Sequence, residues 1–252
     1  MTQLRTLTTC LTLCLLALPC YAQQPADFEA KLELYRNGKL TGEMTFQLES
    51  DDQGWVMASE TKGVRGLAKF LGLHEQSTGE GDWFDGAARP LRYQREVSLI
   101  KTLEWHADFD WEHDVATTVY PDGESTLSLT PDVLDESALG MAVRAGLARG
   151  EEEWHFKLLD EDKIENAHFR VSSVESLQTP LGCIKVHVVE KVRGEGSKRY
   201  TRTYYADDHA FAPVWMEHGK TGGEHIEGRV VELAVEGNKV RPAPDCGATR
   251  SS

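Results

Sequence analysis

The sequence predicts a mainly β protein, a strongly curved antiparallel sheet or partly open β-barrel with one packed helix. Three observations predict it. Apolar and polar residues alternate with a period of two along most of the chain, as in strands wet on one face. Turn dipeptides interrupt the alternation at short intervals, Asn37-Gly38 and Asp122-Gly123 among them. Only one long stretch, about residues 131–148, shows helical spacing instead.

In chain order, Phe28, Ala30, Leu32 and Leu34 point one way and Glu29, Lys31, Glu33 and Tyr35 the other. After Asn37-Gly38, Leu40, Gly42, Met44, Phe46 and Leu48 resume one face. Gly63–Gly72 breaks the pattern with Val64, Leu67, Phe70 and Leu71 between glycines. This segment reads as a short apolar helix on the sheet or a flap. Trp105, Ala107, Phe109 and Trp111 then alternate with His106, Asp108, Asp110 and Glu112, an acidic stripe read as a solvated outer face. Asp122-Gly123 separates strands expected at Val115–Tyr120 and Ser125–Leu129. Thr130-Pro131-Asp132 carries the signals of a helix start: a capping hydroxyl, a proline in the first turn and an early acid. Leu134, Ala138, Met141, Ala142 and Ala145 would share one face of that helix, ended by Gly146 and Gly150. Further strands read at Trp154–Leu159, Phe169–Gln178, Cys183–Val192, Tyr200–Tyr205, Val214–His218 and Ile226–Val235.

The chain of 252 residues has 41 acidic against 27 basic side chains and a formal charge of −14. That balance argues against nucleic acid or an anionic membrane surface as the main partner, since both select basic patches. Residues 1–22 read as an export signal: Arg5, the apolar run Leu7–Leu18, then Pro19 and a small residue at Ala22. The run is shorter than the roughly 20 apolar residues that span a bilayer. A lipoprotein reading would instead place the lipid on Cys20. Residues 23–236 then form one β-rich domain and 237–252 a C-terminal tail, located in the periplasm. No other segment reads as an integral membrane span.

Of five cysteines, Cys183 and Cys246 remain after such processing, an even number in an oxidising compartment. A Cys183–Cys246 disulfide would tie the tail to a strand. The alternative is a buried free thiol and a tail residue.

Searches for catalytic and cofactor motifs fail. There is no Gly-x-Ser-x-Gly elbow, and Gly219-Lys220-Thr221 lacks the upstream glycine of a phosphate-binding loop. No cofactor is expected. The weak metal candidates are His218 and His225, which bracket the turn Gly219–Gly223 and lack an obvious third ligand.

Gly66-Leu67-Ala68-Lys69-Phe70-Leu71-Gly72, followed by Arg89-Pro90-Leu91-Arg92-Tyr93, resembles the bacterial domain of unknown function 3108 family, DUF3108. Pro131-Asp132-Val133-Leu134-Asp135 and Tyr205-Ala206-Asp207-Asp208 leading to Ala212-Pro213-Val214 carry the same resemblance, over about residues 25–236. Tyr205 stands where that pattern has tryptophan. The resemblance implies an exported β-rich protein without an assigned activity. A more distant similarity in shape is to periplasmic lipoprotein carriers, whose curved sheets wrap an apolar cavity; this is fold-level analogy.

Three functions stay open: a non-enzymatic binding or scaffolding protein for an apolar or amphipathic, lipid-like ligand; an envelope protein-interaction module; and a hydrolase of envelope material. The first is the working expectation. Its ligand-binding candidates are Val64, Leu67, Phe70 and Leu71 as a lid and Leu134, Ala138 and Met141 as a plug. The alternative is that these residues complete the core. The hydrolase would need polar residues converging in a pocket, and the sequence offers none that converge.

Overall fold

Asn37 and Gly38 both adopt left-handed backbone, with φ of 50° and 76°. That geometry matches the twist of two antiparallel strands, so β1 (Phe28–Arg36) turns directly into β2 (Lys39–Ser50). Asp85-Gly86 repeats the pattern, at φ 52° and 76°. It joins β4 (His74–Phe84) to β5 (Ala87–Ser98). Between these hairpins lie β3 (Trp55–Gly63) and a short helix α1 (Gly66–Phe70). The meander continues through β6 (Thr102–Asp110), β7 (Val115–Tyr120) and β8 (Gly123–Ser128). A two-residue strand β9 (Val133–Leu134) and helix α2 (Glu136–Ala148) then lead to a second meander. This comprises β10 (Glu153–Asp160), β11 (Lys163–Thr179), β12 (Gly182–Val192), β13 (Arg199–Ala206), β14 (Pro213–Lys220) and β15 (His225–Val235). A last short strand, β16 (Asn238–Lys239), pairs with β15. The computed structural model describes residues 24–247. The expected export signal, with Cys20, lies outside the described residues.

All strands join one sheet, in the order β8-β7-β6-β5-β4-β3-β2-β1-β15-β14-β13-β12-β11-β10-β9. The first and last long strands, β1 and β15, pair antiparallel and join the two meanders. The sheet stays open between β8 and β9, as the expected partly open barrel requires. Because Arg36 pairs with Ile226, the β1–β2 and β14–β15 turns share a rim. The β3–β4 and β5–β6 connections lie on that same rim, since the meander reverses at each strand.

The register places Phe28, Ala30 and Leu32 on one face with Leu48 and Phe46 of β2 and Met57 of β3. These join Ala138 and Met141 of α2 in the main core. The helix packs on β4, β5, β9 and β10. Gly79 of β4 permits the approach: a Cβ there would lie 2.3 Å from the Ser137 hydroxyl. Arg144, only 2 % exposed, donates to the carbonyls of Ala26 and Ala210, and its guanidinium lies 4.5 Å from the centre of the Phe28 ring.

Several expectations need correction. The helix begins at Glu136, not near Pro131. Asp135 is its cap, accepting from the Ala138 N–H at 2.7 Å, while the Thr130 hydroxyl donates to the Asp132 carboxylate. Pro131-Asp132 instead leads into β9, which pairs in parallel with β10. The β7–β8 turn is Pro121-Asp122, because Tyr120 already pairs with Gly123. The acidic stripe does oppose the packed face: Ala107 and Phe109 are buried, whereas Asp108 and Asp110 are exposed. The expected tail packs through Cys246. The Ala243 N–H donates to Leu181 O and the Cys183 N–H to Pro244 O. The Cys183–Cys246 disulfide forms.

Candidate binding cleft

The two ends of the open sheet approach each other over the N-terminus of α2. There β5, β6 and β7 face β10, leaving a cleft of about 80 Å³. Its apolar lining includes Trp105, Ala107, Val119 and Leu159; its polar lining includes Tyr93, Arg95, Asp135, Glu136 and Glu161. The ladder aligns Tyr93 with Ala107 and Arg95 with Trp105, so one face of β5 and β6 supplies four of these side chains. Across the opening, the Trp105 indole N–H donates to Glu161 Oε1 at 2.9 Å. The Tyr93 hydroxyl donates to Glu136 Oε2 at 3.1 Å. Arg95 donates to Glu75 at 2.8 Å and stacks 5.0 Å from the Trp105 ring centre.

Asp135 is the unusual member. It is 2 % exposed; Oδ1 serves the helix cap and Oδ2 has no protein partner. Burial pushes its carboxyl up to about 7, against the lowering effect of the helix N–H groups and with help from the Glu136 charge. Burial also raises the Tyr93 phenol, with Glu136 adding to the shift. For Arg95 burial opposes the charge, but Glu75 and Glu136 outweigh it and the guanidinium is held above its ordinary value. The cleft therefore offers a neutralisable acid, a carboxylate and an aromatic wall.

In the sequence these residues lie in separate segments, Tyr93 in a family motif, Trp105 and Ala107 in one strand, Leu159 in another and Asp135 within the helix expected over about 131–148, and nothing there brings them together. The chain distance from Tyr93 to Glu161 is bridged only by the sheet order. The signal was Asp135-Glu136 immediately before an apolar helical run, the acid pattern of a true N-terminus.

The structure separates the residues expected to form lid and plug. Leu134, Ala138 and Met141 are buried in the main core. Leu67 and Phe70 are 68 % and 84 % exposed, and Val64 and Leu71 are half-buried. α1 packs on β2 and β3, whereas α2 packs on β4, β5, β9 and β10. Leu67 and Phe70 therefore complete no core.

The weak metal pair is also corrected. His218 pairs with Ile226, so it and His225 project to opposite faces of the hairpin. His218 meets the Thr201 hydroxyl and His225 meets the Tyr200 hydroxyl. His225 gathers instead with Glu217 and Glu227, but Arg229 and Arg202 already pair those carboxylates. Glu153, His155 and His168 form a second cluster at the surface, with the two imidazole rings stacked 4.3 Å apart.

The family described as "Protein of unknown function (DUF3108)" matches residues 29–223. The chain belongs to the DUF3108 family. No curated protein matches it at a significant level. Among solved structures, it is similar to a β-barrel-like protein of domain of unknown function DUF1849 from Brucella abortus. That match has a TM-score of 0.56 and 11 % identity, covering 84 % of this chain and 98 % of the other. A Bacteroides fragilis protein with a YmcC-like fold matches at TM-score 0.36 and 12 % identity, covering 84 % of this chain and 96 % of that one. The DUF3108 chain thus shares a barrel-like architecture with the Brucella protein, and the likeness extends to fold alone. Among its described residues no helix is long and apolar enough to cross a membrane.

Proposed function

We propose that this DUF3108 protein is an exported, non-enzymatic binding protein of the cell envelope, which holds the polar head of a small amphipathic molecule in the α2 cleft. Support for export comes from the Leu7–Leu18 run and from a disulfide, which persists in oxidising compartments. The observation that carries the binding reading is Asp135 Oδ2, buried beside the cleft without a protein partner. A buried acceptor without a partner costs about 1–3 kcal/mol, and a donor entering the cleft would offset that. The carboxyls of Asp135, Glu136 and Glu161 select an amine or hydroxyl head; Trp105, Ala107 and Leu159 offer apolar surface to its chain. At about 80 Å³ the site admits a head group and not a whole lipid.

Calorimetric titration with dodecylamine, below its micelle concentration, tests this, with dodecanoate as the oppositely charged control. The amine should bind and the carboxylate should bind more weakly. Trp105→Ala and Glu136→Gln should each weaken amine binding about tenfold, as expected for loss of an aromatic contact or a charged hydrogen bond. No amine binding, or binding indifferent to both substitutions, would refute the assignment.

A further inference from the structure

We infer that the rim formed by the β3–β4 and β5–β6 connections is a docking surface for an anionic lipid bilayer. Four large apolar side chains project from these two connections: Leu67 and Phe70 of α1, 68 % and 84 % exposed, and Leu99 and Ile100, 43 % and 85 % exposed. The connections are neighbours, because His74 at the start of β4 pairs with Ser98 at the end of β5. Such exposure at adjacent tips is not explained by folding, since it leaves apolar area in water at the most accessible part of the molecule.

Charge selects the occupant. Arg65, Lys69 and Lys101 sit among these apolar residues, exposed, and have no ion-pair partner among the described residues; Lys39 in the neighbouring turn has none either. Apolar side chains ringed by free cations match a bilayer whose acyl boundary lies beneath anionic head groups. The chain's charge of −14 argued against such a surface when averaged over the sequence. The balance reverses only locally: residues 64–73 and 99–103 hold Arg65, Lys69 and Lys101 and no acid, whereas the opposite rim carries Asp51, Asp52, Asp85, Asp110, Glu112 and Asp114, and the β7–β8 and β10–β11 turns on the Phe70 rim carry Asp122, Asp160, Glu161 and Asp162. An anionic surface would attract these two basic tips and repel the acidic turns around them, which confines the contact to the Phe70 and Ile100 tips. This inference stands independently of the cleft.

Sedimentation of the protein, purified from cells expressing the full chain, with vesicles of phosphatidylcholine containing 30 % phosphatidylglycerol is the test; that fraction is a chosen, roughly physiological anionic content. The wild type should sediment with these vesicles at low salt and be released at about 0.5 M salt, where screening is nearly complete. It should bind pure phosphatidylcholine at least about tenfold more weakly. The double variants Phe70→Ser with Ile100→Ser, and Lys69→Glu with Lys101→Glu, should each lose about tenfold or more in affinity while keeping the wild-type melting temperature. Val174→Ser, on β11 and 48 % exposed, should bind as the wild type does. A wild type that stays in the supernatant overturns the inference, also if a protein is later found on this rim. So does binding that the rim substitutions leave unchanged, as binding through the N-terminal apolar run would.

Discussion

Asp135 shows how one side chain can make stability depend on pH. Its ordinary value is 3.8, and burial raises it to about 7 in the folded protein. Below about pH 4 both folded and unfolded chains hold the proton, and there is no penalty. Between about pH 4 and 7 the unfolded chain releases a proton that the folded chain keeps, so stability falls as pH rises. Above about pH 7 the penalty is complete, roughly 4 kcal/mol from the size of the shift. Asp135→Asn keeps a capping oxygen and removes the ionisation. Urea unfolding at pH 5 and pH 8 should therefore show the wild type losing about 2–3 kcal/mol more than the variant over that interval. Equal losses would mean that the carboxyl is not held protonated. Phe70 presents the opposite case. At 84 % exposure its removal creates no cavity, and Phe70→Ala should change unfolding free energy by less than about 0.5 kcal/mol. A loss of several kcal/mol would place Phe70 in a core.

At the scale of elements, α2 is held by close contacts as well as by apolar burial. Gly79 admits Ser137 near the first turn, and Gly146 admits the indole of Trp154 near the last, where a Cβ would lie 2.3 Å from Nε1. A methyl group at either position must push the helix off the sheet. Gly79→Ala and Gly146→Ala should each cost about 1–3 kcal/mol by overpacking, read as a lower denaturant midpoint. Met141→Ala, at a fully buried position, should cost about 2–5 kcal/mol by leaving a cavity. The helix face was legible because Ala138 and Met141 fall at helical spacing, and the strands because alternation survives wherever one face is wet. The start of α2 was not. Thr130 and Asp135 are both plausible caps, and only the β9–β10 pairing, a contact between segments distant in sequence, decides that residues 133–134 are extended. The Gly63–Gly72 segment failed differently: its composition shows that the side chains are apolar but not what lies opposite them.

At the scale of the molecule, the chain ends carry the closure. β1 joins the meanders through β15, and the segment beyond β16 returns to the start of β12. Sheet order is the part the sequence could not show, because alternation gives strands without partners. The cleft and the polarised rims both arise from that order: the first brings β5 and β6 to β10, and the second stacks alternate turns on one side. The two cysteines, by contrast, were legible as a count. Their bond closes a loop with a sequence separation of 63. The chain-entropy model gives about 4 kcal/mol for such a loop, by limiting the unfolded chain. The tail itself adds backbone hydrogen bonds at Leu233, Leu181 and Cys183, the packing of Val240 on the main core, and two hydrogen bonds of the Gln178 side chain, Nε2 to the Asp245 carboxylate and Oε1 from the Cys246 N–H. Cys246→Ser should therefore lower the melting temperature by about 8–16 °C, the shift that roughly 4 kcal/mol produces in a domain of this size. The secondary structure of β1–β15 should persist at 25 °C, and the reduced wild type should melt with the variant. If instead Cys246→Ser leaves the melting temperature of the oxidised protein unchanged, the tail is released before the sheet unfolds, and the disulfide contributes nothing to the stability of the sheet.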